Sequence, residues 1–160
     1  ICRSPMAEVV LRELAARRAL DGGTLADRLH ITSAGTGHWH VGEQMDPRAR
    51  AALEARGYRD HDHVARQLDR GDAGGLDLVV ALDRSHLVPG GVLLRSFGLH
   101  VGGLHVGGLH VGGLDVDADD VGGHDVPDPY YGDEAGFAEC LAVIERGCQG
   151  LVDWLAQRLA

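Results

Sequence analysis

Cysteine is scarce, three in 160 residues and odd in number. A disulfide scaffold is therefore not expected, and a reducing, cytoplasmic compartment is. No apolar run approaches the ~18 residues of a membrane helix, so a spanning segment is excluded. No basic segment followed by an apolar stretch opens the chain, so no secretory signal is read; export without one stays open. Basic side chains are outnumbered, 15 Arg and Lys against 24 Asp and Glu, for a formal net charge of −9. That balance argues against a broad nucleic-acid surface but leaves room for an anionic small substrate in a locally positive pocket. What is present is globular: 44% hydrophobic and 24% charged residues, in a length that suits one domain with one core.

Glycine is abundant, 24 residues, about twice the ~7% average. Much of it falls between Gly98 and Gly123, where Gly-Leu-His-Val-Gly occurs at 98–102, 103–107 and 108–112. A period of five matches neither a strand nor a helix, so the stretch reads as a low-complexity loop inserted in a single domain spanning 1–160. His100, His105 and His110 recur in it, but with no neighbouring Cys and no fixed tetrahedral spacing a metal site is not expected.

The rest alternates. Ser4 and Pro5 predict the cap and first position of a helix whose apolar face is Ala7, Val10, Leu11 and Leu14, stopped by Gly22-Gly23. Residues 29–33 predict a strand. Asp46-Pro47 predicts a second helix that ends at Gly57. Residues 76–82 predict a strand buried on both faces, and 92–94 a weaker one. Phe137, Leu141, Ile144, Cys148, Leu151, Leu155 and Leu159 step by four and three, the pattern of a long final helix. Cys140 and Cys148 lie on it eight residues apart, ~12 Å of rise and too far for a disulfide, so both read as small core residues. Strands alternating with helices predict a three-layer α/β domain with a mostly parallel sheet.

Two segments carry chemistry. In Ile1-Cys2-Arg3-Ser4-Pro5-Met6-Ala7-Glu8 an arginine stands just ahead of a helix start. Free N–H groups, the positive dipole end and a guanidinium fork make an anion site there, although an ordinary helix start with a surface arginine has the same pattern. In Asp125-Val126-Pro127-Asp128-Pro129-Tyr130-Tyr131-Gly132 two prolines stiffen the chain around Asp128. A carboxyl held near an anion site can give a proton to a leaving group; a plain turn is the other reading.

Together the segments resemble the low-molecular-weight protein tyrosine phosphatases, the actinobacterial members most of all. Residues 1–5 match the end of the family's phosphate loop, and Asp128-Pro129-Tyr130-Tyr131 its general-acid loop. Ser33-Ala34-Gly35-Thr36, Trp39-His40-Val41-Gly42, His63-Val64-Ala65-Arg66-Gln67 and the strand ending in Asp83 follow in family order. The resemblance implies a flavodoxin-like four-stranded sheet, a phosphotyrosine-protein substrate, a monomer, and no cofactor or metal. It implies catalytic roles for Arg3, which would hold the phosphate, and Asp128, the general acid. It implies substrate contacts from Ser4, Trp39, Tyr130 and Tyr131, and a network of Cys2, Ser33, His63 and Asp83 bracing the phosphate loop. The family's nucleophilic cysteine stands six residues before the loop arginine, so it and the central first strand are expected upstream of Ile1. Cys2 matches the family's second loop cysteine, which can pair with the nucleophile on oxidation. Without the nucleophile the chain would be a phosphate-binding fragment, and inactive. Same-fold arsenate reductases carry a mid-chain cysteine pair, and Asp83 to Ser96 has no cysteine. Protein arginine phosphatases usually have Thr in place of Ile1.

Overall fold

The long final helix, α3, runs Glu134–Leu159. Asp133 caps it, accepting from the Gly136 amide at 3.0 Å. Its stripe of Phe137, Cys140, Leu141, Ile144, Cys148 and Leu151 is fully buried. It packs on Met6, Val9 and Val10 of α1, Arg3–Arg17, and on Ala49 and Leu53 of α2, Pro47–Ala55. These aliphatic faces form the main core. The computed structural model describes residues 1–59, 62–69, 71, 75–97 and 125–160; the glycine-rich repeat and its histidines lie outside them. No helix among the described residues is long and apolar enough to cross a membrane.

Helix α2 follows its sequence signals. Asp46 accepts from the Arg48 amide at 2.8 Å, Pro47 fills the first turn, and Gly57 beyond the end takes φ +82°. Helix α1 departs from them at both ends. Its first helical bond runs from the Met6 amide to the Cys2 carbonyl, so Cys2 is the cap and Ser4 lies inside the first turn. Ser4 is thus not the cap. The helix ends at Arg17 rather than at Gly22-Gly23, because the chain turns into a hairpin of β1, Ala19–Leu20, and β2, Gly23–Thr24. Gly22 supplies the positive φ of that turn.

The strand expected at 29–33 does not form among the described residues. Its carbonyls are taken by side chains instead: Arg12 donates to the Ile31 oxygen at 2.6 Å and Arg66 to that of Ser33 at 3.0 Å. The strands at 76–82 and 92–94 contract to β3, Val80–Ala81, and β4, Val92–Leu93, paired in parallel as expected for an α/β domain. A parallel bridge at Gly35 and Gln67 continues this character. The chain leaves β3 at Asp83, and the Val126 amide bonds the Leu82 carbonyl at 2.8 Å. The proline-flanked segment is thereby laid against the carboxyl end of β3, where open parallel sheets bind ligands.

Candidate active site

Three segments converge at that end. Arg3, at the start of α1, places its NH2 2.8 Å from Asp83 Oδ2 and 3.3 Å from Asp128 Oδ2, while its NH1 donates to the Val126 carbonyl at 2.9 Å. A cleft of about 520 Å³ opens there, lined by Arg3, Asp83, Ser85, His86 and residues 125–128. The two carboxylates differ in setting. Asp83 is buried and also accepts from Ser85 Oγ at 2.6 Å and the His86 amide at 3.2 Å, with His86 Nδ1 at 3.0 Å. Burial pushes its carboxyl up, but Ser85, Arg3 and His86 outweigh burial and hold it below the usual carboxylate range. Asp128 is open, its side chain 56% exposed. Its Oδ1 accepts from the Tyr130 amide at 3.1 Å, an Asx turn that fixes it within its loop. Asp83 is a standing counter-ion for Arg3; Asp128 is the carboxyl that can reach a ligand.

The segment bearing Asp128 is clamped. Arg95 donates to the Asp125 carbonyl at 2.8 Å, and the Arg84 amide to the Asp125 carboxylate at 2.9 Å.

Cys2 turns away from the cleft. Its Sγ lies 3.6 Å from buried Asp46, and burial together with that neighbouring charge pushes the thiol up to about 12. It stays a thiol at neutral pH and is no nucleophile as placed.

Ser33 and His63 come together, but on a residue that local pattern does not mark. Both face Glu8 of α1, Ser33 Oγ at 2.5 Å and His63 Nδ1 at 3.4 Å, with Arg12 on the other oxygen at 2.7 Å. Burial opposes ionisation of Glu8, but the bonds from His63 and Ser33 and the charge of Arg12 bring it down to about 2. A carboxylate depressed from its usual 4.5 stabilises the fold above pH 4.5, and that support is lost as pH falls toward 2. We expect Glu8→Gln to lower unfolding free energy at pH 6 by on the order of 2 kcal/mol after solvent screening. Denaturant melts should show wild type and variant converging near pH 2; a gap constant from pH 6 to 2.5 refutes the linkage.

The aromatic residues divide. Tyr130 and Tyr131 stack edge to face with centroids 5.0 Å apart, and Tyr131 is 97% exposed. The ring facing Tyr130 is that of His40, at 6.3 Å, held by Glu43 at 2.7 Å. Trp39, 71% exposed, packs on His38 instead. Ser4 lies in the first turn of α1, one residue past Arg3. Among the described residues no group of three or more His, Cys, Asp or Glu is arranged to hold a metal ion.

Comparison with known proteins matches this architecture. The profile of the family described as "Low molecular weight phosphotyrosine protein phosphatase" matches residues 1–93 and 114–160. The chain is 42% identical over 160 residues to the low molecular weight protein-tyrosine phosphatase A of Mycobacterium tuberculosis, covering 100% of this chain and 88% of that one. It is 42% identical over 164 residues to the low molecular weight protein-tyrosine-phosphatase of Streptomyces coelicolor, covering 95% and 85%. Among solved structures, a protein tyrosine phosphatase of Entamoeba histolytica with Hepes in its active site superposes with a TM-score of 0.75 at 25% identity, covering 100% of this chain and 93% of that one. YfkJ of Bacillus subtilis gives 0.74 at 26% identity, covering 100% and 91%.

Proposed function

The chain belongs to the low molecular weight phosphotyrosine protein phosphatase family, and from that premise we propose that it hydrolyses phosphotyrosine in proteins by way of a phosphocysteine. The reading rests on one arrangement: Arg3 at a helix start, within reach of an exposed Asp128 across a shared cleft. A phosphate entering the cleft takes the Arg3 NH2 that Asp128 holds in the free protein. The equatorial oxygens then face the guanidinium and the first amides of α1, which stabilise charge as it redistributes in the transition state. The thiolate that this family's phosphate loop carries six residues ahead of its arginine attacks phosphorus. The S–P bond forms as the bond from phosphorus to the phenolic oxygen breaks. Protonated Asp128 gives its proton to that oxygen, because a phenolate whose conjugate acid has pKa ~10 leaves poorly without one. The Asp128 carboxylate then takes a proton from water, whose oxygen bonds phosphorus as S–P breaks, releasing phosphate.

Asp128→Ala in the full-length protein tests this directly. Its kcat/KM on a phosphotyrosine peptide should fall ~10²–10⁴-fold. On dinitrophenyl phosphate, whose phenol leaves without a proton, it should hardly change. Equal loss on both substrates, or none on either, removes Asp128 from the proton-donor role.

A further inference from the structure

The acid-bearing turn has a second anchor, on the side away from Arg3. Asp46, the cap of α2, is buried and chelates the guanidinium of Arg48: Oδ1 accepts from Nε at 3.1 Å and Oδ2 from NH2 at 2.8 Å. That pairing holds the Asp46 carboxyl below its usual range, so the anchor is charged on both sides. The remaining nitrogen, NH1, donates to the Gly132 carbonyl at 3.3 Å. The guanidinium carbon lies over the Phe137 ring, 4.7 Å from its centroid, and over that of Tyr130 at 5.8 Å. Gly132 and Tyr130 belong to one tight turn, closed by the Gly132 amide on the Pro129 carbonyl at 2.8 Å, and the Tyr130 amide of that turn holds Asp128. The same Oδ2 of Asp46 also accepts from Cys2 Sγ, and the Asp46 amide donates to the Ile1 carbonyl at 3.1 Å. A continuous path therefore runs from the residues around Arg3, through Asp46 and Arg48, to the turn that carries Asp128.

We infer that Arg48 is a positioning residue for the general acid, fixing the Pro129–Gly132 turn at a set distance from the phosphate site; this rests on the phosphatase reading above. Only a planar fork fills the role. It serves both carboxylate oxygens, reaches a carbonyl with its third nitrogen and lays its charge over two rings, whereas a compact ammonium has no fixed fork to match these partners together. A support that merely held the core together would slow every substrate alike. A support for the acid slows only those that need a proton.

The test uses the full-length protein, two esters and four variants. Arg48→Met should lower kcat/KM on the phosphotyrosine peptide ~10²-fold, the scale of a catalytic group displaced by an ångström, and leave dinitrophenyl phosphate within about twofold of wild type. The double variant Arg48→Met with Asp128→Ala should be no slower on phosphotyrosine than Asp128→Ala alone, within about twofold, because the two lie on one path. Arg48→Lys keeps the charge beside Asp46, guards against misfolding of the methionine variant, and should still lose about tenfold on phosphotyrosine alone. Equal losses on both esters, or multiplicative losses in the double variant, overturn the inference while the phosphatase reading stands. Wild type that hydrolyses neither ester overturns both.

Discussion

Replacing Arg3 by lysine is expected to cost ~10³-fold or more in kcat/KM on phosphotyrosine, and nearly as much on dinitrophenyl phosphate. Removing a single aimed donor from a developing oxyanion typically costs ~10²–10³-fold, and lysine removes more than one. The guanidinium splits its nitrogens, NH1 to the Val126 carbonyl and NH2 to Asp83 and Asp128. It is thus registered against the acid segment and the end of β3 before any ligand arrives. An ammonium on a flexible stem keeps the charge but neither the fork nor the registration. The substrate profile separates the two proposed roles: on the proposed mechanism Arg3 acts on the phosphoryl oxygens, which both esters share, whereas Asp128 acts on the leaving oxygen, where they differ. Steady-state kinetics on the two esters checks this. A lysine variant within tenfold of wild type on either ester would show that Arg3 is a structural counter-ion of Asp83 and not the phosphate clamp.

How far the sequence reveals this arrangement depends on the range of the forces involved. Helices α2 and α3 are legible almost to the residue, because Asp46-Pro47, Gly57 and the stepped stripe from Phe137 to Leu159 are local signals read by local hydrogen bonds. The start of α1 is misjudged by two residues because the Cys2 carbonyl, not the Ser4 hydroxyl, begins the ladder. The β1–β2 hairpin has strands of two residues each, too short for a periodicity to show. Residues 29–33 have strand composition but no strand partner among the described residues, and a strand needs a partner that its own composition cannot supply. In the site, Arg3 and Asp128 stand 125 positions apart and are read together only through the paired motifs. Glu8, Arg48, His40 and His86 go unread for a common reason. Each is an ordinary polar residue by local pattern, on a helix or a loop: Glu8, Arg48 and His40 gain their place from neighbours distant in the chain, and His86 from Asp83, three residues away, which the distant Arg3 makes part of the site.

The glycines of α3 yield the largest expected change in stability. A glycine inside a helix normally destabilises by about 1 kcal/mol relative to alanine, so Gly→Ala there ordinarily stabilises. At Gly150 the sign reverses. A Cβ would fall on the Phe97 carbonyl, far inside van der Waals contact with its oxygen and 2.6 Å from its carbon. At Gly147, one turn earlier, it would meet Leu94 Cγ at 2.7 Å and the Leu94 oxygen at 3.0 Å. The 3-10 turn Leu94–Phe97 therefore lies directly on the backbone of α3, in a groove that only two glycines leave open. Backbone cannot swing aside as a side-chain tip can, so Gly150→Ala should cost about 3 kcal/mol, at the upper end of overpacking effects. For a chain of this length that lowers Tm by roughly 10 °C, measurable by thermal unfolding. Equal or higher Tm would show that the turn does not rest on α3. The damage should also reach the site. Arg95 belongs to that turn and bonds the Asp125 carbonyl, so pushing the turn off the helix moves the segment bearing Asp128. Below its melting point the variant should then lose more activity on phosphotyrosine than on dinitrophenyl phosphate, because the displaced group is the proposed proton donor.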